Sequence, residues 1–297
     1  MRGREATRET VHALAEQAEA IGLDALFCTD HLVSPPIKTS RALHAASGDI
    51  PPAWKERYLE PFAVLGYLAG VTRRITLGTS VCILPMRNPI EVAKQVTVLD
   101  ELSAGRMVFG VGVGWYREEI EALGHAFTDR GARTDEGLEI IKALWTQERP
   151  SFAGQRFNFE QVYFGPKPRQ QPHPPIWVGG ASAGALRRMA RFGDVWHPFV
   201  PTWETLERGR ETLARLFAEQ GRKDALRIAP KLPLVFQDEA TRPGQYPTEG
   251  RPEDILAALR RFRDLGAEFF LFDFKPETLD NALRTLDRFA AEIRPKL

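Results

Sequence analysis

Helical patterns and short apolar segments alternate along almost the whole chain. Near the start, Val11, Ala15 and Ala18 share one helical face, and the apolar segment "DALFCTD" follows them. The same order repeats as far as the last helix, which Leu279 and Ile293 mark. Strict alternation over 297 residues predicts an α/β protein with a parallel sheet and helices outside it. A doubly wound sheet and a closed (β/α)8 TIM barrel both satisfy the pattern, and the number of repeats favours the barrel.

No change in composition divides the chain, so we predict a single barrel domain over residues 1–297. Two segments interrupt the alternation and are predicted insertions: a hairpin within residues 148–174 and a polar loop at residues 237–252. The pattern opens on a helix, where a barrel opens on a strand. We therefore expect the first strand to be missing, through a start codon placed too late or a shortened barrel.

Composition argues against several classes of function. The 40 basic and 39 acidic residues are interspersed, which argues against a nucleic-acid or membrane partner. The chain has no apolar run long enough for a membrane span and no secretory signal, so we expect a cytoplasmic protein. Cys28 and Cys82 have no metal-site spacing, and among the six histidines only His31 and His197 end predicted strands. We therefore predict no metal site.

Asp30 and His31 stand side by side where the first apolar strand ends. In a (β/α)8 barrel, the carboxyl ends of the strands form the active-site face. Because neighbouring side chains of a strand alternate faces, at most one of the two faces the barrel lumen. The other can anchor the loop or orient its neighbour. The alternative interpretation is a capping aspartate beside a packed histidine with no catalytic role.

Small residues mark three further strand ends. The segment "LGTSV" (77–81) indicates either close approach of a ligand or tight packing against a helix. The segment "GVGVGW" (110–115) lacks the G-x-G-x-x-G spacing, but it removes side chains and would let a flat ligand approach. The segment "VGGAS" (178–182) joins a strand to a Ser-capped helix. That arrangement favours an anion such as phosphate over an ordinary turn.

These strand ends fit a flat cofactor with a phosphorylated tail, and the sequence resembles the luciferase-like flavin-dependent oxidoreductases, in particular their coenzyme F420-dependent branch. The resemblance covers most of residues 20–200 in the family's order. The matching segments are "GLDALFCTDHL", "YLEPFAVLGYLAGVTRRITLGTSVCILPMRNP", "AKQVTVLDELSAGRMVFGVGVGWYREEIEALG", "RGARTDEGLEIIKALW", "FGPKPRQ" and "PPIWVGGASAGALRRMARFGDVWHP". The family fold is a (β/α)8 barrel with insertions, in agreement with the pattern.

The resemblance also implies roles for individual residues. Ser80–Val81 would be a non-prolyl cis peptide behind the central ring of the deazaflavin or flavin. His31 would be the hydrogen-bond partner or proton donor and acceptor near the ring, with Asp30 as the second catalytic residue. The residues predicted to contact the cofactor are Ser80, Val81, Gly112, Val113, Gly114, Glu118, Gly179, Gly180 and Ala181.

The resemblance implies an oxidoreductase that transfers a hydride between F420 and a small organic substrate. Trp115 stands where the sugar-phosphate dehydrogenases of this branch carry a catalytic glutamate, which favours an apolar substrate. One alternative is an FMN-dependent monooxygenase supplied by a separate flavin reductase. A second alternative is a flavin-binding protein without turnover. By resemblance, a homodimer and an F420 or flavin reductase are candidate partners.

Overall fold

The computed structural model describes residues 3–41, 48–237, 246–273 and 278–297. The chain divides into two compact units: residues 1–15 with 24–176, and residues 16–23 with 177–297. Each unit combines helices with parallel strands, as the alternating pattern predicts. The organisation as one domain stays a prediction.

The first four strands of the first unit pair in parallel. Residues 3–7 form turns, and helix α1 (Arg8–Ala20) is the first element in the described part of the chain. The strands that follow are β1 (Ala25–Cys28), β2 (Thr76–Thr79), β3 (Cys82–Ile83) and β4 (Met107–Gly112). Strand β2 lies between β1 and β4, with Ala25 opposite Thr76 and Leu77 opposite Met107, and β3 also pairs with β4. All six residues of β4 are buried, so β4 lies in the core of this unit.

Helices cover these strands, and proline starts three of them. The helices are α2 (Pro52–Glu56), α3 (Pro61–Val71), α4 (Pro89–Leu102), α5 (Arg117–Ala122) and α6 (Arg130–Thr146). Pro61 and Pro89 stand at the first positions of α3 and α4, where proline is favoured, so the sequence indicates these two helix starts. Glu60 caps α3 by accepting a hydrogen bond from the Ala63 N–H, and Asn88 caps α4 in the same way.

A small antiparallel hairpin follows α6, within residues 148–174 where the sequence predicts one. Strand β5 (Phe152–Ala153) pairs with β6 (Asn158–Phe159). In the extended connection that follows, the Gln170 side chain donates a hydrogen bond to the carboxylate of Asp100 at 2.6 Å. That contact attaches the connection to α4.

The second unit is built from shorter strands. Its strands are β7 (Ile176–Gly179), β8 (Val195–His197), β9 (Arg227–Ile228), β10 (Lys231–Pro233), β11 (Val235–Phe236), β12 (Glu249–Gly250) and β13 (Leu271–Asp273). Its helices are α7 (Ala183–Phe192), α8 (Trp203–Glu219), α9 (Pro252–Asp264) and α10 (Leu279–Arg288), and a π turn (Phe289–Ile293) and a 3-10 turn (Arg294–Lys296) follow. Strands β7, β8 and β9 are parallel neighbours, β10 pairs with β13, and β11 pairs with β12.

The second unit contains one irregular strand region and part of a predicted insertion. The apolar run 227–236 is divided into three short strands, which agrees with the irregular strand that its two prolines predict. Half of the predicted loop insertion at 237–252, residues 238–245, lies outside the described residues. Its last part contains β12.

The described residues contain neither a helix able to cross a membrane nor a group of metal ligands. No helix in these ranges is both long enough and apolar enough to span a bilayer. Nor do three or more His, Cys, Asp or Glu side chains gather within them as ligands of a metal ion would.

Gly110 provides a test of how closely β2 and β4 approach. A Cβ at Gly110 would lie 1.8 Å from the carbonyl oxygen of Thr79, whereas one at the exposed Gly70 would meet nothing within 4 Å. We expect Gly110→Ala to lower the free energy of unfolding by roughly 1–3 kcal/mol or more. The matched variant Gly70→Ala, in α3, should raise it by up to about 1 kcal/mol. Urea unfolding followed by tryptophan fluorescence measures both, and equal midpoints would contradict the packing described here.

Candidate active site

Asp30 is a buried anchor just beyond the end of β1. Its Oδ1 accepts a hydrogen bond from Nη2 of Arg87 at 2.7 Å, and its Oδ2 accepts one from Nε of Arg87 at 3.0 Å. Oδ2 also accepts from the backbone N–H of Ile83 at 2.9 Å. Burial alone would lower the pKa of Arg87, but the hydrogen bonds and charge of Asp30 raise it above its ordinary value. This bidentate pair ties the end of β1 to the segment after β3.

His31 is held by a carboxylate that the sequence analysis did not identify. Its Nδ1 lies 2.6 Å from Oε2 of Glu119, whose side chain is fully buried. The other oxygen of Glu119 accepts hydrogen bonds from the backbone N–H groups of Leu32 at 2.7 Å and Val33 at 3.4 Å. Among the residues that the structure describes, Nε2 of His31 has no hydrogen-bond partner. The available signal for Glu119 was an acidic pair in the first turn of the helix after a glycine-rich strand.

Aromatic rings surround the His31 imidazole. Its centroid lies 4.3 Å from that of Trp54, 5.3 Å from Tyr58, 6.3 Å from Trp115 and 6.4 Å from Tyr116. Trp115 and Tyr116 stack at 5.1 Å with their planes 11° apart. A cavity of about 410 Å³ lies beside the imidazole, lined by His31, Leu32, Val33, Ser34 and residues 54–58. His31 therefore borders a cavity whose lining combines the rings of Trp54 and Tyr58 with the charged residues 55–57.

Glu118 holds the loop after β1. Its Oε1 accepts hydrogen bonds from the backbone N–H groups of Lys38, Thr39 and Ser40 at 2.8, 2.6 and 3.2 Å. Burial raises the pKa of Glu118, but the hydrogen bonds from Ser40, Thr39 and Lys38 outweigh it and place this pKa below its ordinary value. The structure thus gives Glu118 a role in fixing residues 38–40, and its predicted contact with a cofactor stays a prediction.

The Ser80–Val81 peptide bond is cis, as the resemblance implies. The glycines nearby are packed against the protein's own atoms. A Cβ at Gly112 would lie 2.5 Å from the side chain of Val81, and one at Gly114 would lie 2.7 Å from Ile83. At these positions the structure therefore shows tight packing of neighbouring segments. Contact of Ser80, Val81, Gly112, Val113 and Gly114 with a cofactor stays a prediction.

The remaining predicted residues, Gly179, Gly180 and Ala181, lie in the second unit. Gly180 adopts a φ of +95°, which favours glycine, and it precedes the first turn of α7. Ser182 caps this helix, since its hydroxyl oxygen accepts a hydrogen bond from the Ala185 N–H at 3.2 Å. The predicted order of strand, glycines, serine cap and helix is confirmed. Binding of an anion at this turn stays a prediction.

His197, the other histidine at a strand end, is buried. Burial lowers its pKa to about 4, so its imidazole is neutral at physiological pH. Its Nδ1 lies within hydrogen-bond distance of the Ala229 carbonyl oxygen. These surroundings give His197 a packing role in the second unit.

Comparison with known proteins establishes the family. The sequence model of the luciferase-like monooxygenases matches residues 1–243. The chain belongs to this family. The predicted family and the predicted class of enzyme, an oxidoreductase, are therefore confirmed.

The chain is also similar in sequence to mycobacterial proteins. The chain is 31% identical over 287 residues to an uncharacterized protein of Mycobacterium tuberculosis (strain ATCC 25618 / H37Rv), covering 96% of this chain and 94% of that protein. It is 33% identical over 220 residues to the phthiodiolone/phenolphthiodiolone dimycocerosates ketoreductase of Mycobacterium bovis (strain BCG / Pasteur 1173P2). That match covers 72% of this chain and 57% of the ketoreductase.

Solved structures share the fold at low sequence identity. A monooxygenase from Streptomyces bottropensis has a TM-score of 0.80 and 20% identity, over 97% of this chain and 92% of that one. An F420-dependent secondary alcohol dehydrogenase in complex with an F420–acetone adduct has a TM-score of 0.77 and 16% identity, over 96% and 93%. The FMN-bound oxygenating constituent of 3,6-diketocamphane monooxygenase from Pseudomonas putida has a TM-score of 0.76 and 15% identity, over 99% and 96%. The predicted fold class, that of the luciferase-like α/β barrels, is confirmed.

The carboxylate of Glu118 should make a pH-dependent contribution to stability. Its lowered pKa means that the folded chain favours the ionised form, so the contribution is complete well above 4.5, the ordinary pKa of glutamate, and shrinks below it. We expect Glu118→Gln to lower the free energy of unfolding at neutral pH and to differ less from the wild type as the pH falls below 4.5. Urea unfolding at several pH values measures this difference.

The matched control for that experiment is Glu121→Gln, the same change at an exposed position of α5. Glu121 pairs only with Arg117 across one helical turn among the described residues, and such exposed pairs contribute about 0.3–0.5 kcal/mol. Its effect should be small throughout. If Glu118→Gln lowers the free energy of unfolding by the same amount from neutral to acidic pH, the ionised Glu118 carboxylate does not make the stabilising contribution described above.

Proposed function

We propose that this chain is an F420-dependent oxidoreductase that transfers a hydride between the deazaflavin and a small organic substrate, with His31 handling the proton. One observation carries the proposal. The buried carboxylate of Glu119 occupies Nδ1 of His31, while Nε2 has no hydrogen-bond partner in the described part of the chain, and the ring borders a cavity of about 410 Å³. That arrangement leaves one imidazole nitrogen available to a bound molecule.

The aromatic rings around His31 fit a flat cofactor, and residues 55–57 add charged groups to the lining of the cavity. Trp54, Tyr58 and Trp115 supply aromatic surfaces, which favour stacked or edge-on contacts with planar rings. When bound, the deazaflavin would supply the hydride chemistry. We further propose that the first N–H groups of α7, after the Gly180 turn, bind a phosphate group through their partial positive charge.

The chain's own part in the reaction is proton transfer and exclusion of water. Nε2 of His31 would accept the hydroxyl proton of an alcohol substrate, and it would return a proton to the carbonyl oxygen in the opposite direction. The buried rings of Trp54 and Tyr116 would keep water from the imidazole. Asp30 would act indirectly, because Arg87 and Ile83 occupy both of its oxygens.

A second candidate is an FMN-dependent monooxygenase supplied with reduced flavin by a separate reductase. The likeness to the Streptomyces bottropensis monooxygenase and to the FMN-bound Pseudomonas putida protein favours it. Reduced FMN and O₂ would then be consumed together with the substrate. A flavin-binding protein without turnover is the third outcome to be distinguished.

Paired fluorescence titrations with F420 and FMN test the choice of cofactor. We expect F420 to bind at least tenfold more tightly than FMN, because the proposed function requires F420. Bound F420 should then be reduced by small secondary alcohols, or reduced F420 reoxidised by the matching ketones, as its absorbance reports. Tighter FMN binding with substrate-dependent O₂ uptake would replace the proposal by the monooxygenase. Binding of either cofactor without turnover of any substrate would favour the non-catalytic alternative.

His31→Ala tests the role of the imidazole. We expect kcat to fall by about 10²–10⁴-fold, because proton transfer by a positioned side chain contributes about that much. The Kd for F420 should change by less than about threefold, since the variant removes the proton carrier and leaves most of the binding surface. Steady-state kinetics and the fluorescence titration measure the two quantities. Unchanged kcat would remove His31 from the mechanism.

A further inference from the structure

Glu119 contacts both a side chain and the backbone of the segment after β1. It lies in the first turn of α5, 88 residues after His31 in the sequence, and no part of its side chain is exposed. One oxygen faces Nδ1 of His31, and the other accepts the backbone N–H groups of Leu32 and Val33. Three donors therefore surround a carboxylate that has no access to water.

The donors determine what Glu119 does to His31. A carboxylate that already accepts two backbone N–H groups can only accept from the imidazole as well. The proton of a neutral His31 must then lie on Nδ1, and Nε2 is left with its lone pair. A carboxylate at this position also fixes the orientation of the ring, as in other histidines held by a buried acid.

We propose that Glu119 is a positioning residue that fixes His31 as the Nδ1–H tautomer, so that Nε2 is the proton acceptor facing the bound molecule. This inference rests on the proposed function for its kinetic consequence, whereas the tautomer itself is a property of the protein alone. The backbone contacts of Glu119 add a second consequence. They hold the backbone at the start of the loop after β1 to the same carboxylate that holds the imidazole.

Glu119→Gln separates these two roles. The carbonyl oxygen of glutamine can keep the hydrogen bonds from Leu32 and Val33, which leaves its amide N–H₂ facing Nδ1 of His31. Because an amide N–H₂ only donates, Nδ1 must become the acceptor and the proton moves to Nε2. The variant therefore keeps the size and the loop contacts of the side chain and changes the tautomer.

The direct readout is the ring ¹⁵N chemical shift of His31 in ¹⁵N-histidine-labelled protein, in mildly alkaline buffer. The variant His31→Gln identifies the signals among the six histidines. We expect the wild type to be protonated at Nδ1 and Glu119→Gln at Nε2. The matched control Glu121→Gln, at an exposed position of the same helix, should keep the wild-type spectrum.

The kinetic readout is a split between kcat and binding. We expect Glu119→Gln to lower kcat by about 10²-fold or more and to change the Kd for F420 by less than about threefold. A fall in kcat without a change of tautomer would reduce Glu119 to a structural residue and overturn the proposal. An Nε2–H tautomer in the wild type, or a doubly protonated ring there, would also overturn it, even if Glu119→Gln failed to fold.

Different results would overturn the proposed function and the positioning role of Glu119. If the wild type turns over no substrate with F420 but shows the Nδ1–H tautomer that Glu119→Gln reverses, the proposed function fails and the positioning role stands. If the wild type turns over F420 and the tautomer is the same in both proteins, the positioning role fails and the proposed function stands.

Discussion

The buried carboxylate of Glu119 is the interaction on which the candidate site depends. It joins two parts of the first unit that are far apart in sequence, the end of β1 and the start of α5, and it accepts every donor that faces it. A buried charge without partners would cost several kcal/mol, so this arrangement persists only because His31, Leu32 and Val33 all donate to it. The orientation of the imidazole and the path of the following loop are therefore set together.

Asp30 and His31 are adjacent in sequence but have different roles, since Asp30 anchors the strand end and His31 is the proposed proton carrier. Asp30 turns toward Arg87 and Ile83, and removing one partner of a buried ion pair of this kind costs about 3–5 kcal/mol. His31 contacts Glu119 and borders the cavity. Neighbouring residues along a strand point to opposite sides, so Asp30 can secure the strand end while the buried imidazole of His31 borders the cavity.

Sequence reasoning identified His31 and missed Glu119 for one physical reason. A histidine at the end of an apolar strand is unusual in itself, so the local pattern is informative. An acidic residue in the first turn of a helix is ordinary, because it complements the helix dipole at the surface. Its burial against His31 follows only from the packing of α5. The glycines at the end of β4 and just after it show the same limit. The sequence indicated that a flat ligand could approach there, and the structure shows the side chains of Val81 and Ile83 beside Gly112 and Gly114.

The sequence by itself determined the alternation of strands and helices, the helix starts at Pro61 and Pro89, the Ser182 cap and the family. These features depend on periodicity and on residues that are close in the chain, so local physics and motif order are sufficient to predict them. Only the tertiary structure decided that Arg87 secures Asp30, that Glu118 holds residues 38–40 and that Glu119 holds His31. Each of those contacts joins residues 57 to 88 positions apart, and no local pattern states which buried donors will meet which acceptors once the chain has packed.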